Sequence, residues 1–174
     1  MTVLTATSTG TWALDPVHST IGFELPYLAG TFRGQFNDVD AKLTDESLTG
    51  SARVASVDVK DENLAAHLQS PEFFDAERHP ELSFASRELD RMGETLTVRG
   101  DITIRGVTKP VELTGTISEP ITDAYGRDRI GVKLETTVDR TDFGVNWNMP
   151  LPNGEPSLAN EVKLVTELYF VKEA

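Results

Sequence analysis

From Val17 to Phe170 the chain alternates apolar and polar side chains with a period of two, and this pattern constrains the fold more than any other feature. Successive side chains of a β-strand point to opposite faces, so such segments bury one face and leave the other in water. Val17, Ser19, Ile21, Phe23 and Leu25 share one face of a first long strand, opposite His18, Thr20, Gly22 and Glu24. After a turn at Ala29-Gly30 come Phe32, Gly34 and Phe36, then Leu48, Gly50, Ala52 and Val54, then Leu82 and Phe84. Leu96, Val98, Gly100, Ile102 and Ile104 form another face, followed by Val111, Leu113, Gly115 and Ile117. Ile130, Val132, Leu134 and Val138 follow, and Val162, Leu164, Leu168 and Phe170 end the series. Turn chemistry at Arg91-Met92-Gly93-Glu94 and Asp123-Ala124-Tyr125-Gly126 separates neighbouring runs.

The pattern predicts an all-β domain of about eight antiparallel strands. Both a two-sheet sandwich and a closed barrel satisfy it, but closure removes the unpaired edges that long strands would otherwise expose. Helical periodicity is confined to Asp61 to Asp75, where Asp61 can cap a helix with Leu64, Ala65 and Leu68 on one stripe. Ser70-Pro71 then starts a second turn ending in Phe73-Phe74. This insertion is placed to cover one end of a barrel, with Phe73 and Phe74 serving either as an apolar lid or as ordinary core plugs. Residues 11–174 are read as one domain, preceded by a mobile tail of residues 1–10 that is rich in Thr and Ser.

The balance of 28 acidic against 16 basic side chains, a net charge of -12, argues against nucleic acid and anionic membrane surfaces as partners. No cysteine is present, so disulfides, thiolate ligands and thiol nucleophiles are excluded together. No basic and apolar leader precedes Thr11 and no run reaches membrane-spanning length, which predicts a cytoplasmic protein. His18, His67 and His79 lack metal-ligand spacing, and no nucleophile elbow or phosphate-cradling glycine loop occurs. Asp139-Arg140-Thr141-Asp142 reads as an ion-paired corner at a strand end. These features predict no catalytic residue, no metal and no cofactor.

An eight-stranded barrel has an interior that is either packed by side chains or wide enough for one small ligand. Gly34, Gly50, Gly100 and Gly115 fall on the inward phase of four strands, where each either bends its strand or leaves interior volume. With Ala52, they point to an elongated apolar tunnel. The expected lining is Ile21, Phe23, Phe32, Phe36, Val54, Phe84, Val98, Ile102, Leu113, Val132, Leu134 and Leu164. Tyr27, His67, Phe73 and Trp147 complete the expected ligand-binding set.

Several segments together carry a family resemblance. Leu14-Asp15-Pro16-Val17-His18-Ser19, Phe32-Arg33-Gly34-Gln35-Phe36 and His67-Leu68-Gln69-Ser70-Pro71-Glu72-Phe73-Phe74-Asp75 resemble the YceI-like family, as do Val98-Arg99-Gly100-Asp101-Ile102 and Asp139-Arg140-Thr141-Asp142-Phe143-Gly144. The resemblance runs from about Thr11 to the C-terminus. It implies a lipocalin-like barrel, commonly homodimeric, that binds a long apolar chain such as an isoprenoid quinone, a prenyl phosphate or a fatty amphiphile. It carries over no catalytic residue. The chain departs from the family pattern at Pro26-Tyr27, Leu64-Ala65, Asn160 and Gly154-Glu155-Pro156-Ser157, all in segments that can border a head group. The expected function is therefore a carrier, store or sequestering protein rather than an enzyme. An acidic chain favours a neutral head group, with Arg33, Arg99, Arg105 and Lys109 as the residues able to form a basic mouth. The alternative is an enzyme acting on such a lipid, with His18, His67 and Tyr27 as acid-base residues.

Overall fold

A computed structural model describes residues 10–173. Its strands are β1 (Trp12–Leu14), β2 (Thr20–Tyr27), β3 (Gly30–Phe36), β4 (Val39–Leu43), β5 (Leu48–Arg53) and β6 (Val57–Asp58). After helix α1 (Glu62–Gln69) come β7 (Glu81–Met92), β8 (Thr95–Ile104), β9 (Val107–Ile117), β10 (Ile121–Thr122), β11 (Asp128–Asp139) and β12 (Glu161–Lys172). The expected tail, apart from Gly10, lies outside the described residues.

The ring β1-β4-β5-β7-β8-β9-β11-β12 closes where β11 pairs with β12 from Arg129↔Val171 to Asp139↔Glu161. Every pairing is antiparallel, and the result is a closed eight-stranded barrel with one short helix. β1 and β2 lie on the same side of β12 and together make one stave, and β3 and β4 make the next.

Two local irregularities depart from simple alternation. The first stave breaks at Pro16, which has no N–H to donate to the ladder. There Asp15 accepts the Val17 N–H, and the Ser19 hydroxyl accepts the Tyr169 N–H in place of a strand carbonyl. Val17 is consequently 84% exposed rather than inward. In the second stave, Asn37-Asp38 shifts the phase by one residue, so Val39, Ala41 and Leu43 are the buried set of β4. That shift hides β4 from a search for uninterrupted alternation.

The interior divides into two halves. At one end Trp12, Leu43, Leu89, Leu96, Ile117, Ile130 and Phe170 pack into a filled plug. Val98 and Val132 belong to this plug, so they are core residues rather than tunnel lining. The other half is bounded by Phe23, Phe36, Leu68, Phe73, Phe143, Val145 and Leu158 and holds the cavity described below.

Gly100 and Gly115 serve close approach of backbones rather than interior volume. A Cβ on Gly100 would lie 2.3 Å from the Ala85 carbonyl oxygen and 2.7 Å from the Ser86 Cα, beside the β-bulge that shifts β7 between Ser86 and Glu88. One on Gly115 would lie 1.7 Å from the Lys133 carbonyl oxygen. These glycines let the strands coil and close, and they are not part of the cavity wall.

Candidate functional site

The unfilled half of the barrel encloses an apolar cavity of about 160 Å³. Its floor is formed by Ala41, Leu48, Leu134 and Leu168, which top the plug. Of the expected lining, Ile21, Phe23, Phe32, Phe36, Phe73, Phe84, Ile102, Leu113, Leu134 and Leu164 border it. Gly50 also borders it, and a Cβ there would meet only ordinary contacts, at 3.5 Å from the Asp40 carbonyl oxygen and 3.7 Å from the Ala41 Cβ.

The lid is built from α1 and two loops. The Asp61 carboxylate caps α1 by accepting the Leu64 N–H at 2.9 Å, as its position before the apolar stripe predicts. Leu68 faces the cavity from this helix. Beyond Ser70 the chain turns back on itself, with the Phe73 N–H donating to the Ser70 carbonyl and the Phe74 N–H to that of Leu68. This turn puts both Phe73 and Phe74 in the cavity wall, so they close the barrel and fill its upper end together. Phe74 meets Phe36 edge-on at 5.7 Å between centroids and Phe23 at 6.1 Å.

The second loop, between β11 and β12, contributes Phe143, Val145 and Leu158. Asn148 braces it: its Oδ1 accepts the N–H groups of Met149, Ser157 and Leu158, while its Nδ2 donates to the Leu158 carbonyl. No periodicity marks these residues in the sequence, because loop backbone has no repeating side-chain direction.

The remaining members of the expected set lie off the cavity. Tyr27 is 45% exposed at the end of β2, and Val54 opens the short 3₁₀ turn that directly follows β5. His67 and Trp147 stand behind the wall: the His67 ring lies edge-on to Phe73 and to Trp147, each at 4.9 Å. The acid-base candidates His18, His67 and Tyr27 share no site in the cavity. His18 instead bonds Asp15 at 2.7 Å in the break between β1 and β2.

The three arginines named as able to form a basic mouth are each engaged, and none borders the cavity. Arg33 pairs with Glu24, Arg99 with Glu88 and Glu112, and Arg105 donates to the Pro71 carbonyl. Among the described residues, the one ionisable residue in the cavity wall is Arg140, which stands there rather than in an ion-paired corner. Asp139 directs its carboxylate to the Thr141 N–H and hydroxyl, which holds it below the ordinary carboxylate range, and Arg140 turns inward. Burial lowers the Arg140 pKa, with Asp139 opposing the effect. A guanidinium nonetheless stays charged in a protein.

A closed antiparallel barrel with a lidded apolar interior defines the lipocalin-like class of ligand-enclosing barrels. Within that class the chain belongs to the YceI-like family, whose YceI-like domain model matches residues 12–170. A UPF0312 protein of Pseudomonas putida (strain W619) is 34% identical over 137 residues, covering 74% of this chain and 71% of the relative. One from Photorhabdus laumondii is 29% identical over 158 residues, covering 86% and 82%. Among solved structures, BcnA of Burkholderia cenocepacia superposes with a TM-score of 0.78 at 20% identity, covering 90% of this chain and 98% of that one. A polyisoprenoid binding domain from Saccharophagus degradans gives 0.68 at 11% identity, covering 93% and 98%. Among the described residues no helix is long and apolar enough to cross a membrane.

Proposed function

We propose that this protein is a binding protein, a carrier or store, that holds the hydrocarbon chain of a polyisoprenoid or similar long-chain lipid inside the barrel. The observation that carries this reading is the half-empty interior: Phe32, Leu82, Phe84, Leu113 and Leu164 face inward yet are only partly buried. Apolar side chains around an unfilled interior lose dispersion contacts that a hydrocarbon guest restores. Each methylene withdrawn from water contributes about 0.8 kcal/mol, so chain length alone can supply affinity. The fold shared with the polyisoprenoid binding domain from Saccharophagus degradans supports the same reading. A void near 160 Å³ compares with the roughly 150 Å³ apolar cavity that takes up benzene. A longer chain therefore enters by displacing the phenylalanines of the wall. The family resemblance adds a homodimer, which light scattering over a wide concentration range tests directly.

The decisive experiment is mass spectrometry of an organic extract from protein purified without detergent, followed by titration of the lipid-free protein with chains of graded length. A stoichiometric long-chain lipid and affinity rising with length are expected. An empty protein that takes up no chain of any length would overturn the proposal.

A further inference from the structure

Arg140 is 6% exposed and stands in a cavity wall otherwise made of uncharged residues. Its Nε donates to the Ala159 carbonyl at 2.9 Å, and its Nη1 to the carbonyls of Val145 at 2.9 Å and Trp147 at 2.7 Å. These bonds use three of the five guanidinium N–H donors. The two on Nη2 have no acceptor among the described residues, although that atom is buried. All three bonds go to backbone carbonyls, so the cation is rigidly seated without a bonded carboxylate. Asp139 is the nearby negative charge, but its carboxylate is bonded to Thr141, so the buried guanidinium has no carboxylate bonded to it and its desolvation is only partly offset.

The position along the barrel is equally specific. Arg140 follows the last residue of β11 and is held by the loop that bears Val145 and Leu158, at the lid end, whereas Ala41, Leu48, Leu134 and Leu168 form the floor. We infer that Arg140 receives the anionic oxygen of an amphiphile's head group, a carboxylate or a phosphate, while the chain extends toward that floor. This rests on the lipid-binding reading and specifies its head group. Because Nε and Nη1 are engaged, only the two N–H groups of Nη2 remain to bond a head group, and the head reaches that buried atom as the wall shifts to admit the chain. A charge-assisted bond from them satisfies the unused donors and offsets the buried charge. A neutral carbonyl does only the first.

The test compares laurate, lauryl phosphate and lauryl alcohol, identical in chain and different in head, by calorimetric titration of lipid-free protein and of Arg140→Met and Arg140→Lys. The native protein is expected to bind at least one of the two anions roughly 10- to 100-fold more tightly than the alcohol, the range a hydrogen bond to a charged group supports. Whether laurate or lauryl phosphate is favoured separates a fatty from a phosphorylated ligand. Arg140→Met is expected to abolish the preference while leaving alcohol binding within about threefold, and Arg140→Lys to retain part of it. Should Arg140→Met fail to fold, the head-group comparison in the native protein and Arg140→Lys still decides. Equal affinity for all three heads overturns the role of Arg140 and leaves the lipid reading standing. A loss in Arg140→Met that falls equally on alcohol and anions makes Arg140 a brace for the loop and also overturns it. Failure of all three to bind overturns the role of Arg140, and the lipid reading itself falls only if no chain of any length is taken up.

Discussion

Gly115 of β9 sits so close to Lys133 of β11 that a Cβ added to the glycine would lie 1.7 Å from the lysine carbonyl oxygen. No rotamer relieves a clash between a Cβ and backbone, so the two strands must part. Gly115→Ala is expected to cost more than about 3 kcal/mol or to abolish folding, because overpacking against backbone cannot be absorbed locally. Urea denaturation measures it, with Gly50→Ala as a folded control. Matching midpoints for the two variants would contradict the account of how the barrel closes.

Gly50 offers the converse test, since the space beside it belongs to the cavity. Gly50→Leu adds volume beside open space rather than against backbone, so it should cost no more than about 3 kcal/mol and leave the barrel folded, while weakening long chains more than short ones. Titration with chains of graded length decides, and an equal loss at every length would mean that the cavity near Gly50 does not determine capacity.

Phe74 secures the lid through its edge contacts with Phe36 and Phe23. It is only partly buried, so Phe74→Ala should lower stability by about 1–3 kcal/mol, less than a fully buried phenylalanine. The larger effect is expected on kinetics, with faster ligand dissociation in stopped-flow displacement. An unchanged dissociation rate would place the ligand's exit elsewhere.

Arg129 bridges Asp15 and Asp123, tying the break in the first stave to the β10–β11 turn. The hydrogen bond from Arg129 and the N–H groups of Arg127 and Tyr125 hold the Asp123 carboxyl well below its ordinary range. For Asp15, burial pushes upward but hydrogen bonds from His18 and Arg129 outweigh it. Carboxyls with a depressed folded-state pKa stabilise above the unfolded value, near 3.9, and that stability is lost as pH falls toward the folded value. Arg129→Met should therefore be less stable than the native protein at neutral pH, with the difference shrinking below about pH 4. Thermal melts across that window test it, and a pH-independent difference would mean that Arg129 acts by packing alone.

The Asp61 cap predicts a local effect. Asp61→Ala should destabilise α1 by about 1 kcal/mol, the usual contribution of an N-cap. Hydrogen exchange should quicken at Leu64 and the residues after it while the amides of β11 and β12 keep their protection. Uniform acceleration would show that the lid and barrel open as one unit.

The sequence by itself determined most of the strands and their faces, because the two-residue period follows from backbone geometry and needs no tertiary partner; β1, β4 and the outward Val17 escaped it where Pro16 and Asn37-Asp38 interrupt the period. It also located the helix, whose cap and apolar stripe are local features. Depth along the barrel was decided only by the tertiary structure. Val98 and Ile102 share the inward face of β8, yet Val98 is locked in the plug and Ile102 borders the cavity. Which of them meets open space depends on where Trp12 and Phe170 arrive from the two ends of the chain. Likewise Gly50 and Gly115 share an inward phase, and only the crossing of β9 with β11 separates a gap from a contact. Arg140 stands between two carboxylates in sequence, but the turn that follows β11 gives its guanidinium to three loop carbonyls instead. Periodicity fixes the direction of a side chain relative to its own strand, whereas the neighbours it meets depend on strand crossings and loop paths that involve residues far away in sequence.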